Sequence, residues 1–283
     1  MGELVDIGTT RLYVEERGTG SPVLVLHGGP GADHTQLLGP LTPLAEDFRM
    51  LFVDQRSQGR SDRTVRETWT IAHAARDVVD LAAALQLDHY GVLGHSYGAL
   101  VALQHAVDFP GAAAASVVSH GVPSARWYRL GEELAKLEPE PVRCRVEAAW
   151  QALASASTSA ETARLIAEQM PFHFRDPQDA RISEVNKVIL QEMVHTPDVT
   201  NHMSSSDFGG FDVEEQLGDI PQPVLVLTGR YERTCPAEAA HFVAERIPRA
   251  ELVVFEESAH CSYVEEPDRY VSVVRGFLRP HLI

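Results

Sequence analysis

The sequence predicts an α/β fold, a mostly parallel sheet flanked by helices, with one helical segment inserted into it. Short apolar runs at 23–26, 50–53, 90–93 and 115–118 alternate with helical patterns and turn residues. That is the mark of strands buried on both faces and joined by βαβ crossovers. The alternation stops near Pro123 and resumes at 224–227. A third observation is the turn Gly94-His95-Ser96-Tyr97-Gly98-Ala99, which passes directly from an apolar strand run into a helical one.

In chain order, residues 4–7 and 11–16 read as two strands around Gly8-Thr9-Thr10, an antiparallel entry hairpin. The run Val23-Leu24-Val25-Leu26 ends in His27-Gly28-Gly29-Pro30-Gly31, where glycine and proline enforce an irregular loop. The run Met50-Leu51-Phe52-Val53 ends in Asp54-Gln55-Arg56-Ser57-Gln58-Gly59-Arg60-Ser61-Asp62. Ile71, Ala75, Val78, Val79, Ala82 and Leu85 then share one face of an amphipathic helix. After the strand at 90–93, Leu100, Val101, Leu103 and Ala106 recur at helical spacing, and the next strand is 115–118.

From 124 to about 206 the patterns are helical, punctuated by Pro139, Pro141, Pro171, Pro177 and Pro197. Residues 142–154 form one helix, and Thr158 with Glu161 has the form of a capping box for the next. Ile182, Val185, Ile189 and Met193 mark the apolar face of a third. The expected organisation is a core built from 1–123 and 207–283, with 124–206 as a helical cap over the sheet edge. Strands at 224–227 and 251–255, alternating with helices at 237–245 and 268–278, complete the core.

A serine with glycines two residues to either side, between strand and helix, is the pattern of a nucleophile elbow. The turn is so tight that the flanking residues must be small for strand and helix to approach. Acyl transfer by serine further needs a base, an acid that orients the base, and donors for the oxyanion. In an open parallel sheet these lie on loops at the carboxyl ends of strands. The candidates that do so are Ser96 as nucleophile, His260 as base and Glu232 as acid, with the amides of Gly29 and Tyr97 as oxyanion donors. Glu256 and Glu257 rival Glu232, although both stand too near His260 in sequence to orient it easily. His27 reads as a loop-ordering residue. This chemistry requires no cofactor, and His34, His73, His195 and His202 lack metal-ligand spacing, so no metal is expected.

The chain has 283 residues, 40 acidic against 24 basic side chains, and a net charge of −16. That balance argues against nucleic acid or an anionic membrane surface as partner. It could favour a cationic substrate, but it is also the ordinary route to solubility. The start, Met-Gly-Glu-Leu-Val-Asp, shows no basic stretch followed by an apolar one. No apolar run reaches the roughly 20 residues of a membrane span. The three cysteines, Cys144, Cys235 and Cys261, make no disulfide framework. The expected location is the cytoplasm and the expected partner a small-molecule or short-peptide substrate. The oligomeric state is not legible.

On these residues the chain resembles the α/β-hydrolase superfamily over almost its whole length, and within it the proline iminopeptidase-like group. The carrying motifs are His27-Gly28-Gly29-Pro30-Gly31, Asp54-Gln55-Arg56-Ser57-Gln58-Gly59-Arg60-Ser61, Gly94-His95-Ser96-Tyr97-Gly98 and Gly229-Arg230-Tyr231-Glu232-Arg233-Thr234-Cys235-Pro236. The resemblance implies an eight-stranded sheet, a helical cap, and a serine hydrolase that releases an N-terminal residue, often proline, from peptides or amides. It also implies that Asp54 and Arg56 brace the oxyanion loop. The family's acid is usually Asp, where this chain has Glu232. Its aminopeptidases hold the substrate ammonium with cap carboxylates, one commonly in a Gly-Pro-Asn-Glu-Phe stretch. Here Ser204-Ser205-Ser206-Asp207-Phe208 stands at a comparable place, making Asp207 the candidate, unless it is only a turn or capping residue. Glu168 and Glu192 are further cap carboxylates. The rival activities are an esterase, lactonase or other amidase on the same triad, and a small-molecule binding protein without turnover. Cys235 and Cys261, close in sequence to Glu232 and His260, lead to the expectation that alkylating agents slow the enzyme.

Overall fold

The structure is a computed structural model and describes residues 2–205 and 207–283, with Asp207 described by its backbone alone. Eight strands form one sheet: β1 (Glu3–Asp6), β2 (Arg11–Arg17), β3 (Ser21–Leu26), β4 (Phe48–Val53), β5 (Gly91–His95), β6 (Ala115–Ser119), β7 (Val224–Gly229) and β8 (Ala250–Phe255). Their spatial order is β1-β2-β4-β3-β5-β6-β7-β8. The entry hairpin is antiparallel, as is the β2–β4 pair, and every pair from β4 onward is parallel.

Alternation within each strand divides the core in two, because successive side chains leave a strand on opposite faces. Leu24, Leu26, Val92, Val224 and Val226 join one cluster with the helices Ile71–Ala84, Tyr97–Asp108 and Ala237–Arg246. Val23, Val25, Leu93, Leu225 and Leu227 join the other with the helices Thr35–Leu41 and Pro267–Leu282. Burial on both faces is why these strands read as unbroken apolar runs rather than alternating ones.

The helix Thr35–Leu41 between β3 and β4 was not expected from the sequence. Gly39 and Pro40 lie within it, and both are poor helix formers. Tertiary burial overrides them, since Leu37 and Leu41 are fully enclosed. Between β6 and β7 the helices are Leu130–Ala135, Glu140–Leu153, Ser159–Gln169, Ile182–Gln191 and Pro197–Ser205, the first and last also unanticipated. Thr158 caps Ser159–Gln169 by accepting from the Glu161 N–H at 3.2 Å. The return bond of the expected box shifts by one residue, Glu161 Oε2 taking the Ser157 N–H at 3.1 Å. Two small apolar clusters belong to this segment, around Val146 with Phe172 and around Leu153 with Leu165. Among the described residues no helix is long and apolar enough to cross a membrane.

The register fixes where the loops converge. Leu26 pairs with Gly94, His95 with Ser119, Ser119 with Leu227, and Gly229 with Phe255. The carboxyl ends of β3, β5, β6, β7 and β8 therefore lie side by side, and the loops carrying Gly29, Ser96, Glu232 and His260 leave from that one edge.

Candidate active site

Ser96 follows the last residue of β5 and precedes the helix Tyr97–Asp108, with φ 54° and ψ −117°. A non-glycine residue with positive φ is strained and persists only where its surroundings over-determine it. Here the neighbours do so. A Cβ on Gly94 would overlap the Gly98 carbonyl oxygen, and one on Gly98 would overlap the Leu26 carbonyl oxygen. The Ser96 N–H is tied to the Ser119 carbonyl at 2.8 Å.

Glu232, on the loop after β7, is buried and accepts four hydrogen bonds. Its Oε1 takes the backbone N–H groups of Thr234 (2.8 Å) and Cys235 (3.2 Å). Its Oε2 takes His260 Nδ1–H at 2.8 Å and His120 Nδ1–H at 2.7 Å. Burial alone pushes this carboxyl up, but the His260 imidazole and the hydrogen bonds from both rings hold it well below the ordinary carboxylate range. The two rival acids are engaged elsewhere: Glu256 pairs with Arg230 at 2.7 Å, and Glu257 with Arg175. Glu232 is thus the carboxylate that His260 Nδ1 faces.

The loop carrying His260 is itself pinned. Glu265 accepts the Ala259 N–H at 2.8 Å, Glu266 accepts the Ser258 hydroxyl at 2.7 Å, and the His260 N–H reaches the His173 carbonyl at 3.0 Å. His95, next to Ser96, holds its ring 5.0 Å from that of His260, tilted by 50°. Ser96 Oγ makes no hydrogen bond to His260 among the described contacts. Catalytic hydrogen bonds are often long or misaligned without substrate.

Gly29 and Tyr97 each stand three residues beyond the paired Leu26 and Gly94, so their amides leave adjacent strands at the same height. Gly29 has φ 121°, a conformation that L side chains rarely adopt. The N–H groups beside Gly29 are already used, Gly28 on Gln36 (2.9 Å) and Gly31 on Gln58 (2.6 Å). Among the described contacts the Gly29 and Tyr97 N–H groups have no partner. His27 orders this loop as expected: Nδ1–H donates to the Gly28 carbonyl (2.7 Å), and Nε2 accepts from the Gln55 N–H (3.2 Å).

Asp54 does brace the neighbouring loop, accepting the His34 N–H at 2.8 Å and the His34 ring at 2.6 Å. Arg56 does not. It turns away to clamp the buried Asp77 on the helix Ile71–Ala84, with Nε–H donating at 2.8 Å. Asp207 lies outside the residues whose side chains are described. Glu168 is exposed and paired with Arg164 at 2.7 Å, and Glu192 is exposed.

The structure bears out the expected proximity of the two cysteines to Glu232 and His260 and adds that they are buried. The Cys235 N–H touches Glu232 and Cys261 adjoins His260, but both thiols are buried, and burial pushes both up from the ordinary thiol range. Burial and a raised thiol both work against alkylation, so slow or absent modification of these two is the expected outcome.

Sequence reasoning missed His120 and His173. His120 follows β6 directly, with φ 54°, and Ser262 Oγ lies 2.7 Å from its Nε2. Its position at the carboxyl end of a parallel strand was the available signal. His173 comes from the turn Met170–His173 between β6 and β7; its ring lies 5.2 Å from that of His260, and burial holds it neutral, at about 3. No sequence spacing links it to the site.

Among the described residues, two buried groups place potential ligand atoms within 4.8 Å of one another, His120 with Glu232 and His260, and Asp33 with His34 and Asp54. In the first, both rings turn a donating Nδ1–H to one carboxylate oxygen. In the second, Asp54 is taken up by His34 and the Arg60 N–H, and Asp33 by Arg60 and backbone amides. Hydrogen bonding accounts for both arrangements.

The family model described as alpha/beta hydrolase fold matches residues 21–267. A proline iminopeptidase of Heyndrickxia coagulans is 30% identical over 275 residues, covering 93% of this chain and 92% of that protein. A 3-oxoadipate enol-lactonase of Acinetobacter baylyi is 24% identical, over 92% and 89% of the two chains. Among solved structures, the proline iminopeptidase of Mycobacterium smegmatis superposes with a TM-score of 0.78 at 22% identity, over 99% of this chain and 98% of that one. At that identity the superposition speaks for the fold.

Proposed function

The chain belongs to the alpha/beta hydrolase family, in its proline iminopeptidase-like group, and on that premise we propose that it is a serine hydrolase releasing an N-terminal residue from peptides or aminoacyl amides. The observation that carries the proposal is the Glu232–His260 pair, 2.8 Å apart and buried, set at the same sheet edge as the strained Ser96.

In this reading Ser96 Oγ attacks the acyl carbon while His260 Nε2 takes its proton. Glu232 holds the proton on Nδ1, leaving Nε2 free as the base, and stabilises the imidazolium that forms. The amides of Gly29 and Tyr97 donate to the developing oxyanion, a contribution of about 3–4 kcal/mol per donor in comparable sites. His260 then protonates the leaving amine, and water attacks the acyl-enzyme by the reverse route. Residues 124–206 act as the cap that shapes the substrate pocket.

A second reading, an esterase, lactonase or other amidase on the same three residues, is supported by the exposure of Glu168 and Glu192. Neither is buried, and Glu168 is already paired with Arg164. The test is hydrolysis of prolyl and alanyl arylamides beside their N-acetylated forms and a short aryl ester, with Ser96→Ala as control. Cleavage of the free-amine arylamides alone supports the aminopeptidase. Cleavage of the ester alone keeps the triad and replaces the substrate class.

A further inference from the structure

We propose that His120, backed by Ser262, is a positioning residue for the acid of the proposed triad: a second imidazole that shares Glu232 Oε2 with His260. The inference rests on the catalytic reading of Ser96, Glu232 and His260 and assigns a role to a residue outside it.

Three observations lead there. First, the protons can be assigned from the network. An ionised carboxylate only accepts, so His120 Nδ1 carries its proton toward Glu232 at 2.7 Å. Its Nε2 is then an acceptor, and the Ser262 hydroxyl, 2.7 Å away, must donate to it. The chain Ser262 O–H, His120, Glu232, His260 is fully satisfied with His120 neutral, and burial favours that neutral form. Second, His120 is held for this role. It has a positive φ of 54°, and its N–H is anchored on the Leu227 carbonyl at 2.8 Å. Backbone strain of this kind collects at functional sites. Third, a glutamate has one more rotatable bond than an aspartate. Two backbone amides fix only Oε1 of Glu232; without His120, Oε2 has His260 as its sole partner and the carboxylate can swing with it.

Sharing has a second consequence. An oxygen that accepts from two N–H groups is a weaker acceptor for each, so His120 tempers the hold of Glu232 on the imidazolium. Taking His120 away both loosens the pair and strengthens the remaining bond. The first effect lowers turnover; the second moves the acidic limb of the kcat/KM profile to higher pH. The surroundings allow that limb to be read. His95 at the end of β5 and His173 are kept neutral by burial, while Cys235, Tyr128 and Tyr263 are pushed up by burial and stay protonated. Arg233 stays charged throughout. Burial thus biases each of these histidines, tyrosines and the thiol toward its neutral form.

The experiment compares His120→Leu, His120→Asn and Ser262→Ala with the full-length wild-type chain, on whichever arylamide or ester the wild type cleaves. Asparagine places an N–H donor where Nδ1–H stood but cannot accept from Ser262. For His120→Leu the expected result is a fall in kcat of about tenfold or more, with the acidic limb raised by about half a pH unit to one unit. His120→Asn restores both, and Ser262→Ala, which removes the donor to His120 Nε2, lowers kcat and raises the limb in the same direction as His120→Leu but by less. Proton NMR of the wild type should show two downfield imidazole N–H signals, of which one is missing in His120→Asn. Should His120→Leu not fold, the asparagine and Ser262 variants and the NMR spectrum carry the same decision. An unmoved limb in His120→Leu, an asparagine variant no better than leucine, or a single downfield signal in the wild type overturns the role of His120. Labelling of Ser96 by a fluorophosphonate separates this from the parent reading. A wild type that resists labelling removes the triad and His120 together, whereas normal labelling with an unmoved limb removes His120 alone.

Discussion

Glu232→Gln is the most informative single change, because it keeps the shape of the acid while removing its charge and turning one of its two accepting atoms into a donor. The native carboxylate receives four N–H groups on two oxygens. A glutamine offers one oxygen and one NH2. If its oxygen stays on the Thr234 and Cys235 amides, its NH2 faces two imidazole N–H groups at 2.7–2.8 Å. Both rings must then move their protons to Nε2. His120 can do so, since Ser262 can turn to accept. For His260 the same change puts a proton on the atom that has to take one from Ser96. The flipped amide avoids that only by leaving two buried backbone N–H groups unsatisfied, at about 1–3 kcal/mol each. A tautomer change in a neutral imidazole costs less, so the inactive form prevails. The expected loss is on the order of 10³–10⁴ in rate, or about 4–5.5 kcal/mol of transition-state stabilisation. The rate of Ser96 labelling by a fluorophosphonate measures this without knowledge of the substrate, with circular dichroism to establish that the variant is folded. A variant that labels within tenfold of wild type at neutral pH refutes the assignment of Glu232 as the orienting acid.

Other expectations concern the scaffold. Gly98→Ala places a methyl against the Leu26 carbonyl; the elbow must open, with a loss of about 1–3 kcal/mol in urea unfolding and a larger proportional loss of activity. Arg56→Leu leaves Asp77 buried without its partner and should cost about 3–5 kcal/mol, much of it recovered when Asp77→Leu is added. An unmoved unfolding midpoint in the single variant contradicts that account. His105 is fully buried on the helix Tyr97–Asp108, and burial lowers it from 6.5 to about 4. Because the folded value lies below the unfolded one, its contribution is complete above pH 6.5 and disappears as pH falls toward 4. That amounts to about 3 kcal/mol of acid sensitivity. His105→Leu should flatten the stability profile between pH 6.5 and 4, and a profile parallel to wild type there argues against it.

The sequence by itself determined whatever is local or strictly ordered. The apolar runs at 23–26, 50–53 and 224–227 had no alternative to burial on both sheet faces, and two glycines around Ser96 answer a steric demand that any tight strand-to-helix turn imposes. Strand ends then located Gly29, Glu232 and His260, because a parallel sheet gathers its loops at one edge. What only the tertiary structure decided depends on packing between distant segments. The helix Thr35–Leu41 survives its Gly39 and Pro40 through the burial of Leu37 and Leu41, which no local propensity reveals. Arg56 faces Asp77 rather than the loop at 27–31 because the helix Ile71–Ala84 brings a buried carboxylate within reach. Cys235 and Cys261 are near the site yet enclosed, and their depth, not their position in the chain, pushes both thiols up from the ordinary range. The second imidazole on Glu232 comes from a strand more than a hundred residues away. A histidine after β6 has no local pattern, and it becomes part of the site only when β6 and β7 pair and set both loops over one carboxylate.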